Sequence, residues 1–293
     1  NPFVTQILSS TNAFGTLQVR PQLLLPLVAG IEVNHSPART IPAHFAEVSK
    51  ATEGDIGQVF GHEDSKHFWV GNPLDMESKV CIDMEVFVQR SNGIFGKSGT
   101  GKSFLTRLLL AGIIQKTTAV SLVFDMANEH GWMGRDPERR REVKGLKQLF
   151  GSRVAIYSLD PESSLSRGVQ TEREIRFSYD DIEAEDIELL ASTLKITPLG
   201  VQATHEIAQQ LGREWLRKFL EMDIDQENDI AETTHSAPST LRALKRGLQE
   251  LIRPSFLTPS LSIDILDEIL ETLDRGTHVI LEFGSHGRSL SSY

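Results

Sequence analysis

The sequence predicts an α/β fold: a domain on a mostly parallel sheet over residues 89–293, preceded by a small β domain over residues 1–88. Three observations carry this expectation. Residues 119–124, 154–159 and 277–283 are largely apolar runs of strand length, the pattern of strands covered on both faces. Segments between them place apolar residues near i, i+3 and i+4, the helical period. The order strand, glycine loop, helix, strand begins at about residue 89, as an α/β domain requires.

The 293 residues suffice for one large domain with a smaller companion. With 39% hydrophobic and 24% charged residues the chain is far from the composition of a disordered polymer. Residues 1–50 carry Pro2, Pro21, Pro26, Pro37 and Pro42 and fit edge strands or loops. Residues 54–88 alternate and turn often, so that Ile56-Gly57-Gln58-Val59-Phe60, His67-Phe68-Trp69-Val70-Gly71-Asn72-Pro73 and residues 79–88 read as short strands. Ile94-Phe95 reads as a strand end. A helix over residues 103–115 carries Phe104, Leu105, Leu108, Leu109, Ile113 and Ile114 on much of its circumference and is expected to be buried. The run at 119–124 ends in Asp125. Further strands are expected at 154–159 and 175–179, then helices at about 184–195, 201–221, 239–252 and 262–274. Together these helices make a helical insertion at about 184–275, ahead of the last strand at 277–283. Residues 223–234 are acidic and aperiodic and read as a solvated loop.

Thirty Lys plus Arg against forty Asp plus Glu give a net charge of −10, which excludes a general basic nucleic-acid coat protein. Any DNA contact must then be local, or made by a pore built from several subunits. The single cysteine, Cys81, excludes an intrachain disulfide or thiolate cage and reads as a small buried hydrophobe. HExxH and CxxC are absent, so zinc is not expected, and Ser285-His286-Gly287 forms no GxSxG elbow. The apolar stretch 23–31 is broken by Pro26 and Gly30 and is too short to span a membrane. No basic leader with an apolar run opens the sequence. The expectation is a cytoplasmic protein.

Gly96-Lys97-Ser98-Gly99-Thr100-Gly101-Lys102-Ser103 matches GxxxxGK[ST] in full, a pattern expected by chance in only about one chain in a hundred of this length. Its glycines let backbone N–H groups curl around phosphates, and the helix that follows aims its positive end at the same anion. Lys102 is expected to neutralise the β and γ phosphates of ATP and Ser103 to ligate Mg²⁺, with Phe104 next in the helix. Asp125 and Glu129, in Asp125-Met126-Ala127-Asn128-Glu129-His130, should face the nucleotide side, because ligands of open α/β sheets lie beyond the carboxyl ends of the strands. Their expected work is indirect metal ligation, for Asp125, or polarising water. Arg135, Arg139, Arg140, Arg141, Lys144 and Lys147 form a dense basic run, read either as a solvated face or as a phosphate contact. Arg242, Lys245, Arg246 and Arg253 are open to the same two readings. Asp267-Glu268 lies inside a helical pattern, and Glu282 follows Val279-Ile280-Leu281 without a second acid.

The segments Ile94-Phe95-Gly96-Lys97-Ser98-Gly99-Thr100-Gly101-Lys102-Ser103, His67-Phe68-Trp69-Val70-Gly71-Asn72-Pro73-Leu74 and Val123-Phe124-Asp125-Met126-Ala127-Asn128-Glu129-His130-Gly131 resemble the HerA group of the HerA/FtsK class of P-loop ATPases. The resemblance is strongest over residues 56–131. It implies a small amino-terminal β-barrel and a RecA-like core. It also implies a homo-hexameric ring that moves double-stranded DNA through its pore with ATP and Mg²⁺, often beside a nuclease or other effector. Asn128 stands where the group commonly has Gly, and His130 where it often has Tyr. The group's later acidic strand and trailing arginine finger have no counterpart after residue 283, so the ATPase domain is expected to continue past Tyr293. Two other readings accompany this one: the ATPase of a conjugative or type IV secretion system, and a regulatory module that binds ATP without significant turnover.

Overall fold

The computed structural model describes residues 18–25, 36–74, 77–135, 142–261 and 265–286. Pro2, Pro26, the larger part of the stretch 23–31, and Arg139, Arg140 and Arg141 lie outside the described residues. The chain divides into two compact units, one reaching to Asp83 and the other beginning at Met84.

In the first unit the expected strand at residues 56–60 is instead a helix, α1 (Glu53–Phe60). Apolar alternation there loses to a strong local start signal: the Thr52 hydroxyl accepts the Asp55 N–H at 3.2 Å, and the Asp55 carboxylate accepts the Thr52 N–H at 2.7 Å. Gly57 lies under the exposed His62 ring, which an added Cβ would meet at 2.2 Å and which would have to swing aside. The strands β1 (His67–Gly71) and β2 (Val80–Asp83) pair antiparallel with a bulge after Trp69, and Lys79 lies over the Trp69 ring. Leu23–Leu24 pairs antiparallel with Ser36–Pro37. Cys81 is buried, as a small apolar residue should be.

The second unit opens with α2 (Met84–Val88), where the sequence reads as the end of a strand. Met84 is buried while Glu85 and Val86 are both exposed, so the two-residue alternation is broken. No strand forms at Ile94-Phe95 either: Phe95 is exposed, and its ring folds back over Gly93, where a Cβ would meet it at 2.4 Å. After the glycine loop comes α3 (Lys102–Lys116), buried at Leu109, Ala111, Gly112 and Ile114. The expected burial fails in its first turn, where Phe104 is 58% exposed. In order follow β3 (Leu122–Asp125), α4 (Leu146–Phe150), β4 (Val154–Ser158), α5 (Pro161–Ser166), β5 (Arg173–Glu174) and β6 (Phe177–Ser178). The helices α6 (Ala184–Leu190), α7 (Pro198–Leu211), α8 (Trp215–Glu221), α9 (Ile224–Thr233) and α10 (Pro238–Leu251) come next, then β7 (Leu257–Thr258), α11 (Ile265–Asp274) and β8 (His278–Glu282).

One sheet organises this unit, in the order β3-β8-β4-β5, with every pairing parallel. Late in sequence but central in space, β8 is buried at all five residues, which is why 277–283 reads as a continuous apolar run. Ala155, Tyr157, Ile175, Val279 and Leu281 pack one core with Phe256 and Ile269. The helices form a second core around Ile207, Trp215, Leu216, Phe219, Leu244 and Leu248.

Two helical expectations change. The single helix at 201–221 is two, because Gly212 ends α7 at φ 73°, a left-handed position that glycine adopts without a Cβ clash. The loop expected at 223–234 is α9. Asp223 caps it, accepting the Gln226 N–H at 2.9 Å while Gln226 returns a bond to the Asp223 N–H at 3.0 Å, and Ile230 and Ala231 are buried. Asp225, Asp229 and Glu232 are exposed while Glu227 turns inward to Lys245, so the acidic composition conceals the period. Among the described residues no helix is long and apolar enough to cross a membrane.

Candidate functional site: the glycine loop and the carboxyl edge of the sheet

The glycine loop holds its curve with its own groups. Lys97 O accepts both the Thr100 hydroxyl at 2.8 Å and the Lys102 ammonium at 2.7 Å. Gly99 (φ 80°) and Gly101 (φ 87°) occupy left-handed positions that side chains disfavour. At Gly96 an added Cβ would stand 2.5 Å from the Thr100 hydroxyl oxygen. Gly101 is the N-cap of α3 and supplies no side-chain cap, so the helix start keeps N–H groups and a positive dipole end for an anion. Lys102 and Ser103 occupy its first two positions. Glycine-only turns, an uncapped helix start and an adjacent ammonium and hydroxyl fit a nucleotide triphosphate with Mg²⁺.

The acids gather where the parallel strands end. Asp125, 1% exposed, closes β3, and its two carboxylate oxygens accept the N–H groups of Glu129 at 2.9 Å and His130 at 2.7 Å. The turn before Glu129 is left-handed at Asn128 (φ 57°). The Asn128 side chain grips Gly284, two residues past the end of β8: its Nδ2 donates to Gly284 O at 3.0 Å and its Oδ1 accepts the Gly284 N–H at 2.9 Å. From α3, the Arg107 guanidinium donates to Glu129 O. Burial lowers the pKa of Arg107, against the pull of the Asp125 and Glu129 charges. Glu129 itself is exposed.

In the parallel register Glu282 stands beside Asp125 on one side and Ser158 on the other. It is fully buried and accepts the Arg167 guanidinium at 2.7 Å and the Ser164 hydroxyl at 3.0 Å, both on Oε2. An added Cβ at Gly131 would come within 3.0 Å of its Oε1. Asp160, after β4, receives the Ser285 N–H at 3.0 Å and the Ser163 N–H at 3.0 Å. Burial works to raise the Asp160 pKa, but the bonds from Ser285 and Ser163 and the nearby His286 outweigh it and leave the pKa lowered.

The structure thus brings Asp125 and Glu129 together at the carboxyl edge and reaches them from the glycine-loop helix through Arg107. Sequence reasoning passed over Arg107 and Arg167. The only signal for Arg107 was its place five residues after Lys102, about 7.5 Å along the helix. The missing second acid for Glu282 is Asp125, its register partner, which no sequence-neighbour pattern detects. Of the basic run, Lys147 is bound to Glu172 and to Val154 O, and so serves the fold. Lys245 pairs with Glu227 at 2.5 Å and Arg253 with Glu250 at 2.6 Å.

A glycine loop opening onto an uncapped helix, beside a parallel sheet with acids at its carboxyl edge, defines the class of P-loop ATPases. Within that class the chain belongs to the family described as "Helicase HerA, central domain", whose model matches residues 68–290. No curated protein matches the chain.

Proposed function

We propose that this chain is the ATP-binding motor part of a HerA-type assembly, a homo-hexameric ring that couples ATP hydrolysis to movement along double-stranded DNA in DNA-end processing or defence. The observation that carries this reading is the uncapped, glycine-turned start of α3 with Lys102 and Ser103 in place, joined to the family match over residues 68–290. When bound, ATP with Mg²⁺ supplies the transferable phosphoryl group and the charge that the loop is shaped to hold. The N–H groups of residues 97–103 would cradle the phosphates, with the Lys102 ammonium, now on Lys97 O, as their counter-charge and the Ser103 hydroxyl as the metal ligand. Glu129 is the exposed acid available to orient a water, while Asp125 holds the backbone that presents it. A −10 protomer is a poor DNA ligand alone, but a ring concentrates positive potential from local loops in its pore.

Titration with a fluorescent ATP analogue and Mg²⁺ tests the reading. Lys102→Ala should weaken affinity severely, by a factor of about 100 or more, since a charge-assisted contact to phosphate is lost, with the melting temperature unchanged. Equal affinity in both proteins would refute nucleotide binding by this loop. Duplex-DNA stimulation of phosphate release and sedimentation of the protein as a hexamer test the motor and the ring.

A further inference from the structure

Glu129 is fixed through its backbone from two directions. Its N–H is held by Asp125 and its C=O by Arg107, so the strand it follows and the glycine-loop helix each take one side. The residue before it is held differently. Asn128 adopts φ 57°, donates its backbone N–H to Asp125 O at 3.2 Å, and closes a two-bond clasp on the backbone of Gly284. Gly284 lies two residues beyond Glu282, just past the end of the central strand, itself at φ 58° and packed so closely on Asp160 that a Cβ would stand 2.4 Å from it. Ser285 is bound to Asp160, so the loops after β3, β8 and β4 are linked in one chain of hydrogen bonds.

A left-handed turn needs only a residue that tolerates positive φ, and glycine meets that need best. Asparagine also tolerates it and adds an amide that can both donate and accept. Here Nδ2 and Oδ1 are both spent on the backbone of a single residue, Gly284, in another strand's loop. The side chain therefore does something the turn does not ask for.

We propose that Asn128 is a positioning residue of the nucleotide site: by clasping Gly284 it sets the placement of Glu129 and couples it to the loop beyond the central strand. This rests on the reading of Glu129 as an acid acting at bound nucleotide. Movement of the Glu129 backbone on nucleotide binding is then passed to Gly284 and Ser285, and from there to Asp160 at the start of α5.

Asn128→Gly separates the clasp from the turn, because glycine keeps φ near 57° without strain while removing both bonds. Amide hydrogen exchange on the whole chain, with and without ATP and Mg²⁺, gives a readout that does not depend on turnover. In the wild type, nucleotide should slow exchange at residues 97–103 and also at Gly284 and Ser285. In Asn128→Gly the protection at 97–103 should persist and that at Gly284 and Ser285 should be lost, with nucleotide affinity within about twofold of wild type. Where steady-state phosphate release is measurable, kcat should fall roughly ten- to a hundredfold with KM little changed, the cost of a misplaced catalytic group. Asn128→Asp, which keeps the acceptor and loses the donor, should fall between the two. Equal nucleotide-induced protection of Gly284 in wild type and Asn128→Gly, or an unchanged kcat, would overturn the proposal. Absence of protection at 97–103 in the wild type would instead overturn the nucleotide-site reading beneath it.

Discussion

Glu282→Ala is the sharpest test of how the carboxyl edge is held together. Glu282 has no solvent exposure and satisfies the Arg167 guanidinium at 2.7 Å and the Ser164 hydroxyl at 3.0 Å. Breaking a fully buried ion pair costs about 3–5 kcal/mol, because the remaining charge stays desolvated. The Arg167 side chain is 32% exposed, however, so water recovers part of its solvation once the partner is gone. The loss of the pair is then about 1–2 kcal/mol, and the buried Ser164 hydroxyl loses one hydrogen bond, worth roughly 1 kcal/mol, while keeping its bond with the Ser158 hydroxyl at 2.9 Å. A total of about 2–3 kcal/mol corresponds to a melting temperature lowered by about 5–10 °C for a unit of this size. Urea unfolding of the wild type, Glu282→Ala, Arg167→Ala and the double variant measures it, and the cycle isolates the pair. The double variant should be more stable than the sum of the single losses predicts. Strict additivity, or a loss below about 0.5 kcal/mol for Glu282→Ala, would mean that the buried carboxylate does not hold α5 to the central strand, and the reasoning fails.

Two further outcomes follow from other parts of the fold. Asp223→Ala should cost about 1 kcal/mol and fray α9, seen as faster amide exchange at residues 224–228, since the cap on the Gln226 N–H is lost; unchanged exchange there would return the segment to a loop. His278, whose Nδ1 accepts the Ser121 N–H at 3.1 Å, is pushed below its usual pKa by burial and by the charge of Arg153. A depressed imidazole binds more protons unfolded than folded, so its contribution is complete above about pH 6.5 and is lost as pH falls from there toward the folded value. The urea midpoint of the wild type should therefore drop between about pH 7 and pH 5 by more than that of His278→Asn, and parallel profiles would refute this.

Much of the fold is legible in the sequence because burial on both faces writes a simple signature. The runs at 154–159 and 277–283 become β4 and β8 to within a residue at either end, whereas the run at 119–124 becomes β3 only from Leu122, and the exposure of Leu122 and Phe124 corrects the expectation that it is covered on both faces. Where reading fails, a local signal competes with the period. Thr52 and Asp55 turn an alternating segment into α1, and Asp223 with Gln226 does the same for an acidic one. At Ile94-Phe95 an apolar pair ahead of the loop does not pair into the sheet, since a run of two carries too little information to fix a partner. The glycine loop is readable in full, because its chemistry depends on residues adjacent in sequence. The carboxyl edge is not. Glu282 and Asp125 lie far apart in the chain and meet only through strand register, and Arg167 reaches Glu282 from the end of a six-residue helix.

The two expected acids are bonded differently. An aspartate at a strand end facing a nucleotide reads naturally as a metal or water ligand. Here both oxygens of Asp125 are taken by the N–H groups of Glu129 and His130, and the residue is 1% exposed. A carboxylate spent in this way shapes a loop, since releasing either oxygen would leave a backbone N–H without its partner. Glu282, its neighbour on β8, is committed through Oε2 to Arg167 and Ser164, while its buried Oε1 accepts no hydrogen bond. The acid left with its carboxylate exposed is Glu129, which neither strand end supplies. Two buried acids thus build the edge, and their side chains fix the backbone from which a third projects. Asn128, through its clasp on the loop after the central strand, and Arg107, from the glycine-loop helix, hold the backbone of that third acid from two sides.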